Sequence, residues 1–215
     1  MNNLLTNVLT FAVLGFLGFR LVTGVQRSRS ADGRLLVRRV WRNAGWRHVW
    51  PVPLLLTVVI AVATAIMLVP GLDWGWWSAI GGDGNPVFGR SEATSGTAWE
   101  WLLPMAFMCL LLPALPLFAY AEERLFRTGA ERWSPRRRAL KVLQFGMVHA
   151  LIGIPIGAAL ALSLGGAYFM WIYLRRFAAT GSVDEATIES TTAHTVYNFL
   201  IVLMVIVAVG ADALA

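Results

Sequence analysis

Residues 139–174, ALKVLQFGMVHALIGIPIGAALALSLGGAYFMWIYL, hold one formally charged side chain, Lys141, in 36 positions. A run of that length and polarity suits two membrane crossings of about 18 residues each, because a helix needs roughly 20 apolar residues to cross a bilayer. Gly153, Pro155 and Gly157 supply the expected break between the two. Outward from this run the pattern repeats. Apolar segments at about 4–22, 52–69, 98–120 and 186–209 flank it, with arginine-rich stretches after the first and the third. The chain reads as all-α, a polytopic transmembrane helix bundle of about six membrane spans, with both termini outside.

Composition agrees. The 215 residues are 57% hydrophobic and 14% charged, with a mean hydropathy of +0.63, whereas a soluble domain carries about 25% charged residues. The net charge of +6 is almost wholly arginine. Arg27, Arg29, Arg34, Arg38, Arg39, Arg42 and Arg47 follow the first segment, and Arg124 to Lys141 follow the third. That distribution orients a membrane protein and meets anionic lipid headgroups, so lipids are expected partners and nucleic acid is not. The uncharged flank before the first segment and the arginines after it point to a retained helix rather than a cleaved signal. Arg34, Arg38 and Arg42 recur every four residues, as on a short interfacial helix; a solvated basic loop fits equally.

Residues 70–97, with Arg90 their single arginine, belong outside, and Asp83-Gly84-Asn85 there reads as a turn. Trp41, Trp46, Trp50 and Trp133 fall at inner interfaces; Trp74, Trp76, Trp77, Trp99 and Trp101 fall at outer ones. The lone cysteine, Cys109, excludes an intrachain disulfide and is expected to be a small buried hydrophobe. Two regions follow: 1–97, with two spans, a basic cytoplasmic loop and an outer Trp/Gly loop, and 98–215, which carries the polar groups.

Those groups lie in three strings: Glu122-Glu123-Arg124-Leu125-Phe126-Arg127, Phe145-Gly146-Met147-Val148-His149, and His194-Thr195-Val196-Tyr197-Asn198. Ionisable groups at membrane depth are costly and tend to be kept for function. Glu122 ends the third span on the inner side, His149 lies about 15 Å into the fourth, and His194 and Asn198 share one face of the last. Glu123 and Arg127, four apart in acid-first order, can pair, which leaves Glu122 to face a cavity. Glu122 then suits a general base toward water, His149 its partner in proton transfer, and His194 with Asn198 donors to an oxyanion. Taken singly, each string has a plainer reading: a solvated helix end, an interhelical hydrogen bond, packing for Phe145. Together, in one half of one bilayer, they suit peptide-bond hydrolysis without a covalent intermediate. His48 has no partner in sequence and is assigned nothing.

The three strings in this order resemble the CAAX protease and bacteriocin-processing (Abi) family of intramembrane proteases, which includes the type II CAAX prenyl endopeptidases. Its signature is a pair of glutamates with arginine four after the second, then Phe-x-x-x-His, then His-x-x-x-Asn or Asp. Thr180-Gly181-Ser182-Val183 looks like the family's lead-in to the last motif. The resemblance covers about residues 98–210. It implies that Glu122 is the catalytic base, His149 its partner, and His194 and Asn198 the oxyanion site, with Glu123 and Arg127 supporting. Many members follow the arginine with glycine, where Thr128 stands here. The arginine-rich, nearly lysine-free chain looks like a bacterial member, in the plasma membrane, with its site toward the cytoplasmic half and a peptide or membrane protein as substrate.

No cofactor is expected. A zinc reading uses Glu122, His149 and His194 as ligands, a two-His, one-Glu set, but lacks the usual His-Glu-x-x-His helix. The principal alternative is an inactive membrane scaffold or bacteriocin-immunity protein. A proton-coupled transporter ranks last, since no inverted repeat is apparent.

Overall fold

The computed structural model describes residues 3–77 and 96–214. Among them there are helices and no strands: α1 (Asn3–Arg29), α2 (Ala31–Asn43), a short α3 (Trp46–Val49), α4 (Pro51–Met67), α5 (Trp99–Leu111), α6 (Leu115–Phe126), α7 (Pro135–Met147), α8 (Ile156–Thr180) and α9 (Val183–Leu214). The Asp83-Gly84-Asn85 turn and Arg90 lie outside the described residues.

Among the described residues four stretches are long and apolar enough to cross a membrane: Trp46–Met67, Pro104–Arg132, Ile156–Thr180 and Val183–Ala211. Only 17% of the first is buried within the protein. Its remaining apolar surface needs lipid to cover it, as in an integral membrane protein. Six crossings were expected, and the opening run accounts for part of the difference. It divides at Gly153, whose φ of +97° ends the helical turn over Val148–Ile152. The first part, α7, is a 13-residue helix carrying Arg136, Arg137, Arg138 and Lys141, and is not among those four. The second, α8, is one 25-residue helix reaching Thr180.

The third expected span is broken too. A 3-10 turn at Leu112–Ala114 joins α5 to α6, where Pro113 and Pro116 withhold backbone donors. Beyond it α6 continues past Tyr120 to Phe126, so Glu122 and Glu123 stand inside its last two turns rather than at its end.

Small residues let the helices approach. A Cβ on Gly146 of α7 would stand 2.2 Å from Ser163 Oγ and 2.4 Å from the Ala159 carbonyl of α8, and one on Gly166 would meet Phe145 at 2.8 Å. The two helices therefore run antiparallel in close contact. The start of α8 is pinned to the chain leaving α4: Gly157 N donates to Leu72 O at 2.6 Å and Ile156 N to Trp74 O at 3.0 Å. Gly181, at φ +65°, ends α8, and Ser182 Oγ caps α9 by accepting from Glu185 N at 3.2 Å. α9 packs on α2, α5, α6 and α8. The main core is Val52, Phe126, Phe145, Phe169, Ala193, Val196 and Tyr197.

The arginine stripe is helical: α2 begins at a Ser30 cap, buries Val40 and leaves Arg38 and Arg42 exposed. One expectation fails. Cys109 is exposed on the outer face of α5 rather than buried, the inward position being taken by Met108. Trp77 is buried, packed edge-on against Trp76.

Candidate active site

The site starts from one turn of α6. Glu123 and Arg127 are both wholly buried, and Arg127 Nη1 donates to Glu123 Oε1 at 2.7 Å. Arg127 caps α6, and its Nη2 donates onward to Gly166 O of α8 at 3.3 Å. The chain then turns through Gly129, at φ +91°. The left-handed residue thus comes one position after Thr128, which spares Thr128 a conformation that a β-branched side chain resists.

α9 supplies the other partners of Glu123. Ser190 and His194, one turn apart, share the face toward α6. Ser190 Oγ donates to Glu123 Oε2, and His194 Nδ1 lies 2.9 Å from Glu123 Oε1. A carboxylate only accepts, so Nδ1 carries the hydrogen. Glu123 is thereby held by three donors, which is what a carboxylate buried at this depth requires.

Aromatic rings build the walls. The Arg127 guanidinium lies 4.2 Å from the centroid of Phe145 and 5.4 Å from that of Phe169. His194 stacks on Phe169 with centroids 4.4 Å apart, and meets the edge of Phe145 at 5.4 Å. The Phe145 ring also contacts Phe126, Phe169 and the His149 ring. These rings exclude water from the Glu123–Arg127 pair and add cation–π attraction to a guanidinium with only one carboxylate.

Glu122 has different surroundings. Its side chain is 35% exposed, and its Oε2 lies 3.8 Å from His194 Nε2, beyond hydrogen-bond reach. That oxygen is buried without a hydrogen-bond partner. A polar gap of this width is one that a water can bridge. His149 Nδ1 lies 2.8 Å from Phe145 O, so Nδ1 donates and Nε2 is left with its lone pair. Among the described residues no hydrogen bond or ion pair ties His149 to either glutamate or to His194; it reaches the cluster only through the Phe145 ring. Asn198 follows His194 by one turn, is half-buried and makes no hydrogen bond among the described residues. Glu122, Glu123 and His194 thus converge, with His149 and Asn198 at the margin.

The zinc set is not assembled. Among the described residues no three His, Cys, Asp or Glu side chains are grouped to hold a metal ion.

Three features escaped the sequence reading: Ser190, Phe169 and a second carboxylate–imidazole pair. Gly45 N donates to His48 Nδ1 at 3.2 Å, so His48 Nε2 carries the hydrogen that Glu189 Oε1 accepts at 3.1 Å. Arg47 and Asn43 donate to Glu189 Oε2 at 3.1 and 3.0 Å. Nothing in the local sequence around His48 announced this pairing.

Fold and composition are those of an all-helical protein with membrane-spanning helices. Comparison with the models of known protein families, with curated proteins and with solved structures finds no match.

Proposed function

We propose that the chain is an intramembrane endopeptidase of the CAAX-protease type, hydrolysing peptide bonds of membrane-associated peptides or proteins with a water activated by Glu122. The observation that carries this is the buried, unpartnered Glu122 Oε2 facing His194 Nε2 across 3.8 Å. A carboxylate oxygen without a donor in such a place is poised to take a proton from water. The proton passes to Glu122 as the water oxygen attacks the scissile carbonyl, and His149 Nε2 accepts the water's second hydrogen bond. The cluster holds two carboxylates against one guanidinium; a proton on His194 Nε2 balances it and gives the ring a donor for the oxyanion, beside the Asn198 amide. Collapse breaks the C–N bond, and Glu122 returns its proton to the leaving amine. Glu123, saturated by Arg127, Ser190 and His194, holds the imidazole and takes no proton.

In this reading the chain crosses a bacterial plasma membrane about six times, with α1 and α7 added to the four apolar stretches, both termini outside and the site in the cytoplasmic half. The arginines on the loops after α1 and α6 support that orientation.

The test is cleavage of membrane-presented peptide libraries by reconstituted protein, wild type beside Glu122→Ala, each with and without chelator. Cleavage by wild type alone, indifferent to chelator, is expected. Equal cleavage by both removes Glu122 from its role, loss with chelator restores the zinc reading, and cleavage by neither favours the scaffold.

A further inference from the structure

A cleft of about 560 Å³ opens at the ends of α4 and α8, and none of Glu122, Glu123, His149, His194 or Asn198 lines it. Its walls include Arg47, Trp50, Trp171, Arg175 and Arg176, with Glu189 among the lining. Charge in the cleft is unevenly spent. Glu189 is already held by His48, Asn43 and Arg47. Arg176 is paired with Glu185 at 2.7 Å through Nη2, but its Nε is buried without a partner. Arg175 has no carboxylate partner among the described residues and lies 5.3 Å from the Trp171 ring. Arg175 is therefore the guanidinium of the cleft left without a carboxylate among the described residues, and Arg176 keeps one free donor beside it.

The level of the cleft is set by its walls. Trp50 lies near the start of the Trp46–Met67 stretch and Arg175 near the end of the Ile156–Thr180 stretch, where an apolar span gives way to headgroups. Trp50 and Trp171 are both more than half exposed there. An occupant must offer an anion to the guanidiniums and apolar surface to the indoles at once.

We infer that this cleft seats the phosphate of an anionic membrane phospholipid, with Arg175 its principal contact, Arg47 and Arg176 beside it, and Trp50 and Trp171 against the glycerol and upper acyl chain. A guanidinium suits the task because its planar fork meets phosphate oxygens two at a time. The site is independent of the hydrolytic reading and stands or falls without it.

The experiment is native mass spectrometry of the full chain released from vesicles of equal phosphatidylglycerol and phosphatidylcholine. Wild type retains phosphatidylglycerol preferentially, Arg175→Ala lowers that retention about fivefold, and Arg175→Lys keeps most of it. Arg136→Ala, an exposed arginine in the first turn of α7 that does not line the cleft, leaves it unchanged. Soluble glycerol phosphate at the lipid's concentration does not displace it. Equal retention of both lipids by wild type, or undiminished preference in Arg175→Ala, overturns the site. Displacement by glycerol phosphate overturns the lipid assignment and leaves a site for free phosphate. An equal loss in Arg136→Ala reduces it to nonspecific attraction by the basic loops.

Discussion

The His194 imidazole lies face to face with the Phe169 ring, 4.4 Å between centroids and 20° from parallel. The hydrogen bond from Nδ1 to Glu123 fixes the ring's in-plane direction, and the stack fixes its plane. The orientation of Nε2 toward Glu122 therefore depends on a residue outside all three polar strings.

Phe169→Leu tests that dependence. It keeps an apolar side chain but removes the stack, worth about 0.5–1.5 kcal/mol. The melting temperature in detergent should fall by a few degrees, while hydrolysis drops about 10–100-fold as the imidazole loses its alignment. A loss of activity no larger than the loss of folded protein would reduce Phe169 to packing.

The two adjacent glutamates should separate cleanly. Glu123→Gln leaves Arg127 buried without its carboxylate, a change that costs about 3–5 kcal/mol. Glu122→Gln removes nothing that holds the fold, yet should lower hydrolysis by about 10²–10⁴. Thermal melting beside peptidase rates reads both. Equal destabilisation by the two variants would contradict the division of roles.

Gly146→Ala places a methyl group 2.2 Å from Ser163 Oγ and 2.4 Å from the Ala159 carbonyl. A backbone oxygen cannot swing aside, so α7 and α8 must part, at a cost of about 1–3 kcal/mol that outweighs the better helix propensity of alanine. His149 is three residues away and should lose its position. Gly146→Ala with Ser163→Ala should recover only part of the stability, because the Ala159 contact remains; full recovery would show that Ser163 alone sets the spacing.

Glu189 and Asp184 offer a contrast within α9. Asp184 pairs with Arg39 in the open, with both side chains about half exposed or more, so Asp184→Asn should change stability by less than about 1 kcal/mol. Glu189→Ala removes the partner of His48, Arg47 and Asn43 together and should cost about 1.5–3 kcal/mol. Limited proteolysis between α2 and α4 should become several-fold faster in Glu189→Ala and stay unchanged in Asp184→Asn.

Much of this architecture follows from spacing along single helices. The 139–174 run announced its own break, and Gly153 and Pro155 make it. What the run did not announce is the uneven division: the arginines just before it belong to the same helix as Phe145, with His149 in the turn just beyond, so α7 is short and charged while α8 takes the apolar remainder. The loops were read as the ends of spans, but α6 runs on through Glu122 and Glu123, because nothing breaks a helix there until Gly129.

At the site the same boundary appears. Glu123 and Arg127 face each other because residues four apart on a helix are neighbours whatever surrounds them. For the same reason His194 and Asn198 share a face. The saturation of Glu123 by Ser190 and His194, 67 and 71 residues away, depends on how α9 is rotated against α6. The pairing of His48 with Glu189 spans 141 residues and depends on α3 folding back onto α9. No periodicity encodes either rotation. They are set by where small residues let backbones approach and where Phe145 and Phe169 fill the space between, and that packing exists only once the helices meet.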